Sequence, residues 1–169
     1  MISPTYWTYV FDSATPLFIY GIGNIGRQDD GLGWAFVDAL EDNLPATVKT
    51  FCNYQLNIED AELISNYPQV LFVDATKAED VETYRCRTVE AHASFAFTSH
   101  YLSMESVLAL CQDVYRKTPL THVIEIRGYA WELQLGLTEQ ARNNLEQAVA
   151  FFKSNMKFPD NEAGLKLAI

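Results

Sequence analysis

The stretch FIYGIGNIGRQDDGLGW, residues 18–34, restricts the possible folds more than any other part of the chain. The run PLFIY (16–20) is short and apolar, which is the signature of a buried strand. It passes straight into Gly21, Gly23 and Gly26, spaced G-x-G-x-x-G, and a helical pattern opens at Gly31. A strand that turns through glycines into a helix is the first half of a βαβ unit. Sheets of parallel strands covered by helices are assembled from such units.

The rest of the chain repeats the alternation. Leu32, Ala35, Phe36, Ala39 and Leu40 recur at helical spacing until Pro45, and ATVKTF (46–51) is a second strand. Asn57 reads as the cap of a helix carrying Ile58, Ala61 and Ile64, with Asp60 at its third position. QVLFVDA is the clearest buried strand and ends at Asp74, and YRCRTVEAH (84–92), polar on one side, suits a sheet edge. Ser103 caps a helix whose stripe is Met104, Val107, Leu108, Cys111, Val114 and Tyr115. HVIEIRGY (122–129) is the last strand. Leu137 and Thr138 start a final helix, with Ala141, Leu145, Ala148, Val149 and Phe152 facing the core.

The expected architecture is α/β, a three-layer α/β/α sandwich around a mostly parallel sheet. One domain spans residues 1–169, with 154–169 as a C-terminal tail that carries no clear pattern. Such a sheet takes its ligand at the carboxyl ends of its strands, near a switch in strand order.

Charge narrows the function. A formal charge of −10 and a pI near 4.6 repel a phosphate backbone, so nucleic acid is not an expected partner. An acidic surface suits metal ions or a basic partner. Cys52, Cys86 and Cys111 are odd in number and widely spaced, as in a reduced, cytoplasmic protein. No apolar run approaches membrane-spanning length, and no membrane partner is expected.

The glycine loop has two readings. As a dinucleotide turn it lacks the acidic residue expected at the end of the second strand, where KTFCNY offers Asn53. Asp29 and Asp30 also stand at the helix N-terminus, where a bound pyrophosphate would meet repulsion. The other reading is a cation site. Asp30 follows the first strand, Asp74 terminates the very apolar VLFVD, and His100 lies in the FTSHYLS loop. Two carboxylates and an imidazole form an N/O set suited to Zn²⁺, Ni²⁺ or Fe²⁺, and three ligands leave positions open for chemistry. A helix cap would equally account for Asp30, a strand-end turn for Asp74, and an ordinary loop histidine for His100. His92 and His122 are competing ligands. No G-x-S-x-G or Cys–His pairing suggests a nucleophilic hydrolase.

GIGNIGRQDDGLG resembles the opening motif of the hydrogenase maturation endopeptidases, G-x-G-N-x-x-x-x-D-[DE]-x-x-G, with Asn24, Asp29, Asp30 and Gly33 in register. QLNIEDAELI followed by VLFVDA is similar to the branch of that family serving cytoplasmic, cofactor-linked nickel–iron hydrogenases. SHYLSMESVLALCQDVY and IRGYAWELQLGLTEQA resemble its later segments, so the likeness runs in order from about residue 17 to 152. It implies a phosphorylase/hydrolase-like fold and a metal-dependent endopeptidase of aspartic type. The activity implied is removal of a C-terminal extension from the nickel-loaded precursor of a hydrogenase large subunit. The family's nickel positions fall on Asp30, Asp74 and His100, with nickel arriving on the substrate and other divalent ions able to substitute. Gly21, Gly23, Asn24, Asp29, Gly33 and Gln55 become substrate-binding or loop-supporting residues. Asp30, or its neighbour Asp29, would orient water or shuttle a proton.

There are departures. The family's PGT segment is replaced by TKAEDVETYRCRTVEA, and LSMES stands where LSP is common. Gln134 follows Glu132 and Leu133 where a glycine often follows the glutamate. Residues 1–16 extend the usual start. The alternative function is a non-catalytic binding module, either a nucleotide sensor using the glycine loop or a nickel-checking chaperone.

Overall fold

A computed structural model of the chain describes residues 11–157, apart from 13, 41, 43 and 93–101. The central sheet has five strands: β2 (Leu17–Ile22), β3 (Val48–Asn53), β4 (Gln69–Thr76), β5 (Tyr84–Thr88) and β6 (Leu120–Arg127). Their spatial order is β3-β2-β4-β6-β5, and only β5 runs antiparallel to its neighbour. The expected α/β sandwich is therefore present, with YRCRT at the sheet edge.

The strands β2 and β4 are buried on both faces over most of their length, because helices cover both sides. Helices α1 (Leu32–Asp38) and α4 (Glu139–Asn155) pack on one face, around Leu17, Ile19, Leu71, Val73, Ile124 and Phe152. Helices α2 (Asp60–Ser65) and α3 (Met104–Tyr115) cover the other, around Phe18, Tyr20, Phe72, Ile64, Leu108 and Val123. The chain leaves β2 for β3 on one side and then returns to β4 on the other side of β2. The strand order thus switches between β2 and β4, and a crevice opens at their carboxyl ends.

Several expected boundaries move. Helix α1 ends at Asp38 rather than running to Pro45, because the Leu40 N–H closes on the Val37 carbonyl in a tightened last turn. Strand β6 begins at Leu120, held by pairing to Gln69, and ends at Arg127, where the Gly128 N–H turns to Thr76. Asn57 does not cap α2 with its side chain. Its amide instead reaches the Gln55 carbonyl, while the Asp60 carboxylate accepts the Asn57 N–H at 2.7 Å. Ile58 precedes that helix and is exposed. In α3, Ser103 caps as expected, accepting the Ser106 N–H, but Val114 and Tyr115 leave the stripe and face solvent. Both lie in the last turn, just before Arg116 ends the helix in the left-handed conformation.

The two ends also meet. Residues 154–155 complete α4, and a short strand β7 (Met156–Lys157) pairs in parallel with β1 (Phe11–Asp12). Met156 is buried in the core, so the first part of the expected tail belongs to the fold.

Candidate active site

The crevice at the strand switch is a cleft of about 580 Å³. Asp30 and Asp74 both line it, with Gly23, Gln55, Arg87 and Glu125. Backbone geometry brings the two aspartates together. Asp74 directly follows the buried run of β4, in register with Glu125 of β6. Asp30 arrives from a four-residue 3₁₀ turn (Gln28–Gly31) that follows the glycine loop and leads into α1.

The glycines serve close packing. A Cβ at Gly21 would stand 2.5 Å from the Gly33 carbonyl oxygen, and one at Gly33 would stand 2.3 Å from that of Ile22 and 2.5 Å from that of Val73. These positions let the first turn of α1 rest directly on the carboxyl ends of β2 and β4. Gly23 has φ +135° and its missing Cβ would lie 1.8 Å from the Asp30 carbonyl oxygen, so only glycine fits there. The loop amides that could cradle a phosphate already have acceptors. Gly23 donates to the Asn53 carbonyl, Gly26 to Asn24 Oδ1, and Arg27 to the Asn24 carbonyl. The Asn24 N–H donates to Asp30 Oδ2 at 3.2 Å. A carboxylate of the chain itself occupies the anion position of a dinucleotide turn.

Electrostatics within the cleft are acidic. Burial pushes the Asp74 carboxyl up to about 7, and the charges of Asp30 and Glu125 push in the same direction. The N–H of Ala75, bonded to Asp74 Oδ1 at 2.8 Å, opposes them only in part. Glu125 is held by Arg85 Nε at 2.8 Å and lies 3.5 Å from Arg87 Nε. Arg87 in turn reaches Glu105 at the start of α3 at 3.1 Å. Two carboxylates lining one cleft repel one another, and together they offer two of the oxygen donors that a divalent ion would take. Among the described residues no three His, Cys, Asp or Glu side chains gather as a metal-holding set.

His100 lies outside the described residues. The chain re-enters description at Leu102, which lines the cleft with Ser103 and Met104. His122 is buried on the α4 face of β6, opposite to the face carrying Glu125, and desolvation lowers its pKa. His92 is exposed, its backbone N–H bonded to the Glu105 carbonyl. Neither joins the two aspartates. Asp29 is absent from the cleft as well. It is fully buried, and its carboxylate accepts four hydrogen bonds from the segment 129–138. It supports the loop and has no free oxygen with which to orient water. Sequence reasoning missed Glu125, Arg85, Arg87 and Glu105. A glutamate inside the apolar run HVIEIR, and two arginines at alternate positions of an edge strand, were the available signals.

No helix among the described residues is long and apolar enough to cross a membrane. No protein-family model and no curated protein matches the sequence. Solved structures do match. The chain is similar to the hydrogenase maturating endopeptidase HybD from E. coli, with a TM-score of 0.62 and 20% identity over 82% of this chain and 93% of that one. It is similar to the NiFe hydrogenase maturation protease HycI from Thermococcus kodakarensis, with a TM-score of 0.67 and 18% identity over 83% and 92%. An endopeptidase from Escherichia coli gives 0.67 and 20% over 83% and 91%. At these identities the likeness is one of fold.

Proposed function

We propose that the chain is a hydrogenase maturation endopeptidase, which removes a C-terminal extension from the nickel-loaded precursor of a nickel–iron hydrogenase large subunit in the cytoplasm. The observation that carries this reading is the meeting of Asp30 and Asp74 in one cleft at the strand switch, in a fold shared with proteins named as such peptidases.

In this reading nickel is part of the substrate. Asp30, Asp74 and His100 grip it and so hold the scissile peptide bond at the cleft. A divalent ion there polarises a carbonyl and acidifies water. The rest falls to the chain. Asp74 sheds its proton as the cation arrives, because its carboxyl is half-protonated near neutral pH. Asp30 orients the attacking water, and an aspartate that regains a proton hands it to the leaving amine. Gly23 lets the turn that carries Asp30 close against the glycine loop, and Gln55 supplies an amide at the cleft wall. The nucleotide alternative is disfavoured by the glycine-loop amides, which are bonded within the protein.

The test is incubation of the purified chain with a nickel-loaded large-subunit precursor, followed by mass spectrometry. Loss of one C-terminal peptide is the expected result, abolished by Asp74→Asn. A precursor left intact by the wild-type chain, while nickel still binds, would leave a nickel-checking chaperone as the reading.

A further inference from the structure

A four-residue 3₁₀ turn has few internal bonds with which to hold a carboxylate in place. What fixes the turn carrying Asp30 comes from about a hundred residues downstream. Gln28 has φ 47°, a left-handed conformation that a non-glycine residue keeps only when its surroundings impose it. Segment 132–134 imposes it. The Gln28 N–H donates to the Gln134 carbonyl at 2.8 Å, and Gln28 Oε1 accepts the Glu132 N–H at 3.1 Å. Arg27 and Gln134 form an isolated parallel bridge, and the Arg27 guanidinium reaches the Trp131 carbonyl.

One residue further on, the Asp29 N–H donates to the Ala130 carbonyl at 3.1 Å. Its Oδ2 accepts the N–H groups of Tyr129 and Ala130 and the Thr138 hydroxyl, and its Oδ1 accepts the Thr138 N–H at 2.7 Å. Consecutive carboxylates are thereby committed to opposite sides. Asp29 is engaged by the loop behind the turn, and Asp30 is presented to the Asn24 N–H and the cleft.

We infer that Gln28 and Asp29 are positioning residues, which clasp the segment 128–138 and thereby hold Asp30 at the angle the cleft requires. The inference rests on the reading of Asp30 as a nickel-gripping carboxylate. It adds that the closing segment between β6 and α4 belongs to the site without touching substrate. A ligand carboxylate must be held within a fraction of an ångström, and its supporting bonds contribute to metal affinity accordingly.

Two readouts on the full chain test it. Amide hydrogen exchange by NMR follows the Asn24 N–H, which reports where Asp30 Oδ2 sits, with the Phe72 amide of β4 as the reference for global opening. Calorimetry with Ni²⁺ alone follows the grip. Asp29→Asn and Gln28→Gly are the primary variants, since each keeps part of the clasp; Asp29→Ala is used if it folds. The expected result is Asn24 exchange faster by roughly tenfold or more relative to Phe72, with Ni²⁺ affinity weakened by about the same factor. Gln28→Glu, which keeps an acceptor for the Glu132 N–H, is expected to restore both. The inference is overturned if the Tyr129 and Ala130 amides lose protection while Asn24 exchange and Ni²⁺ affinity stay as in the wild type. A wild-type chain that binds no Ni²⁺ overturns the nickel reading instead, and the Asn24 amide still decides whether the clasp positions Asp30.

Discussion

Asp29 and Asp30 are adjacent in sequence and share one short turn, yet their surroundings are opposite. Behind the turn, Asp29 is fully buried with four donors aimed at its two oxygens, and every one of them is supplied by residues 129–138. In front of it, Asp30 is half-buried, accepts the Asn24 N–H, and lines an open cleft with Asp74. The first carboxylate is fully compensated and the second is not. A fully bonded carboxylate stabilises the fold, whereas two facing carboxylates with little compensation leave stability lower.

The largest expected effect breaks the compensated side. Asp29→Ala takes the acceptor from the part-buried N–H groups of Tyr129, Ala130 and Thr138, at about 1–3 kcal/mol for each group left unpaired. Partial relaxation of the loop makes the total about 4 kcal/mol, to be read from urea unfolding. A cost under about 1 kcal/mol would show that the loop finds other partners and that the clasp is weak. Gly23→Ala comes next, since a Cβ would press on the Asp30 backbone carbonyl at a φ of +135°. The strain is expected to cost about 3 kcal/mol. A milder value would mean that the Asp30 turn can retreat from the cleft.

Why the sequence revealed one side of this contrast and not the other follows from the range of the interactions. The strand into Gly21, the VLFVD run, the cap at Ser103 and the helix start at Leu137 and Thr138 are local patterns, and all are found in the structure. That Asp30 and Asp74 share one cleft was legible for a similar reason, because Asp74 ends the apolar run of β4 and Asp30 follows the glycine loop after β2, in a fold whose strand ends converge. For Asp29, loop support was one of the roles the resemblance implied, but the groups that hold it were not legible. Its donors lie about a hundred residues away, and only the path of the chain after β6 brings them back. Glu125 was hidden inside an apolar run, and its partners Arg85 and Arg87 come from an antiparallel edge strand whose register no local pattern fixes. Helix α1 was overextended because Ala39 and Leu40 keep the helical period after the backbone has left it.

The third effect concerns the uncompensated side. Asp74 has its carboxyl raised from 3.8 to about 7, so the folded state holds this proton more tightly than the unfolded chain does. Stability from this group is fully present below pH 4 and is lost as pH rises through 7. Asp74→Asn carries no such loss. The full shift corresponds to about 4 kcal/mol, and water reaching the open cleft reduces it to about 2 kcal/mol. The variant is therefore expected to be more stable than the wild type at pH 8 and equal to it near pH 4, by urea unfolding across that range. The same proton must leave when a cation binds, so Ni²⁺ affinity should fall about tenfold per pH unit below 7. A variant less stable than the wild type at pH 8 would mean that Asp74 is compensated after all.

The smallest change in stability is expected at Asp30 itself. Asp30→Asn keeps an oxygen that can accept the Asn24 N–H, and the side chain is only half-buried. The fold should shift by less than about 1 kcal/mol, with either sign, because one facing negative charge is removed as one charge-assisted bond is weakened. Removing that charge should also lower the carboxyl of Asp74 toward its ordinary value, since Asp30 is one of the groups raising it. Nickel binding should nevertheless be lost at calorimetric concentrations, because an amide replaces the anionic ligand. The pair of neighbours then separates cleanly: Asp29→Ala costs stability, while Asp30→Asn costs the grip and almost nothing else. If Asp30→Asn destabilises the chain as much as Asp29→Ala does, the two carboxylates belong to one structural cluster, and the cleft has to be read without Asp30 as a ligand.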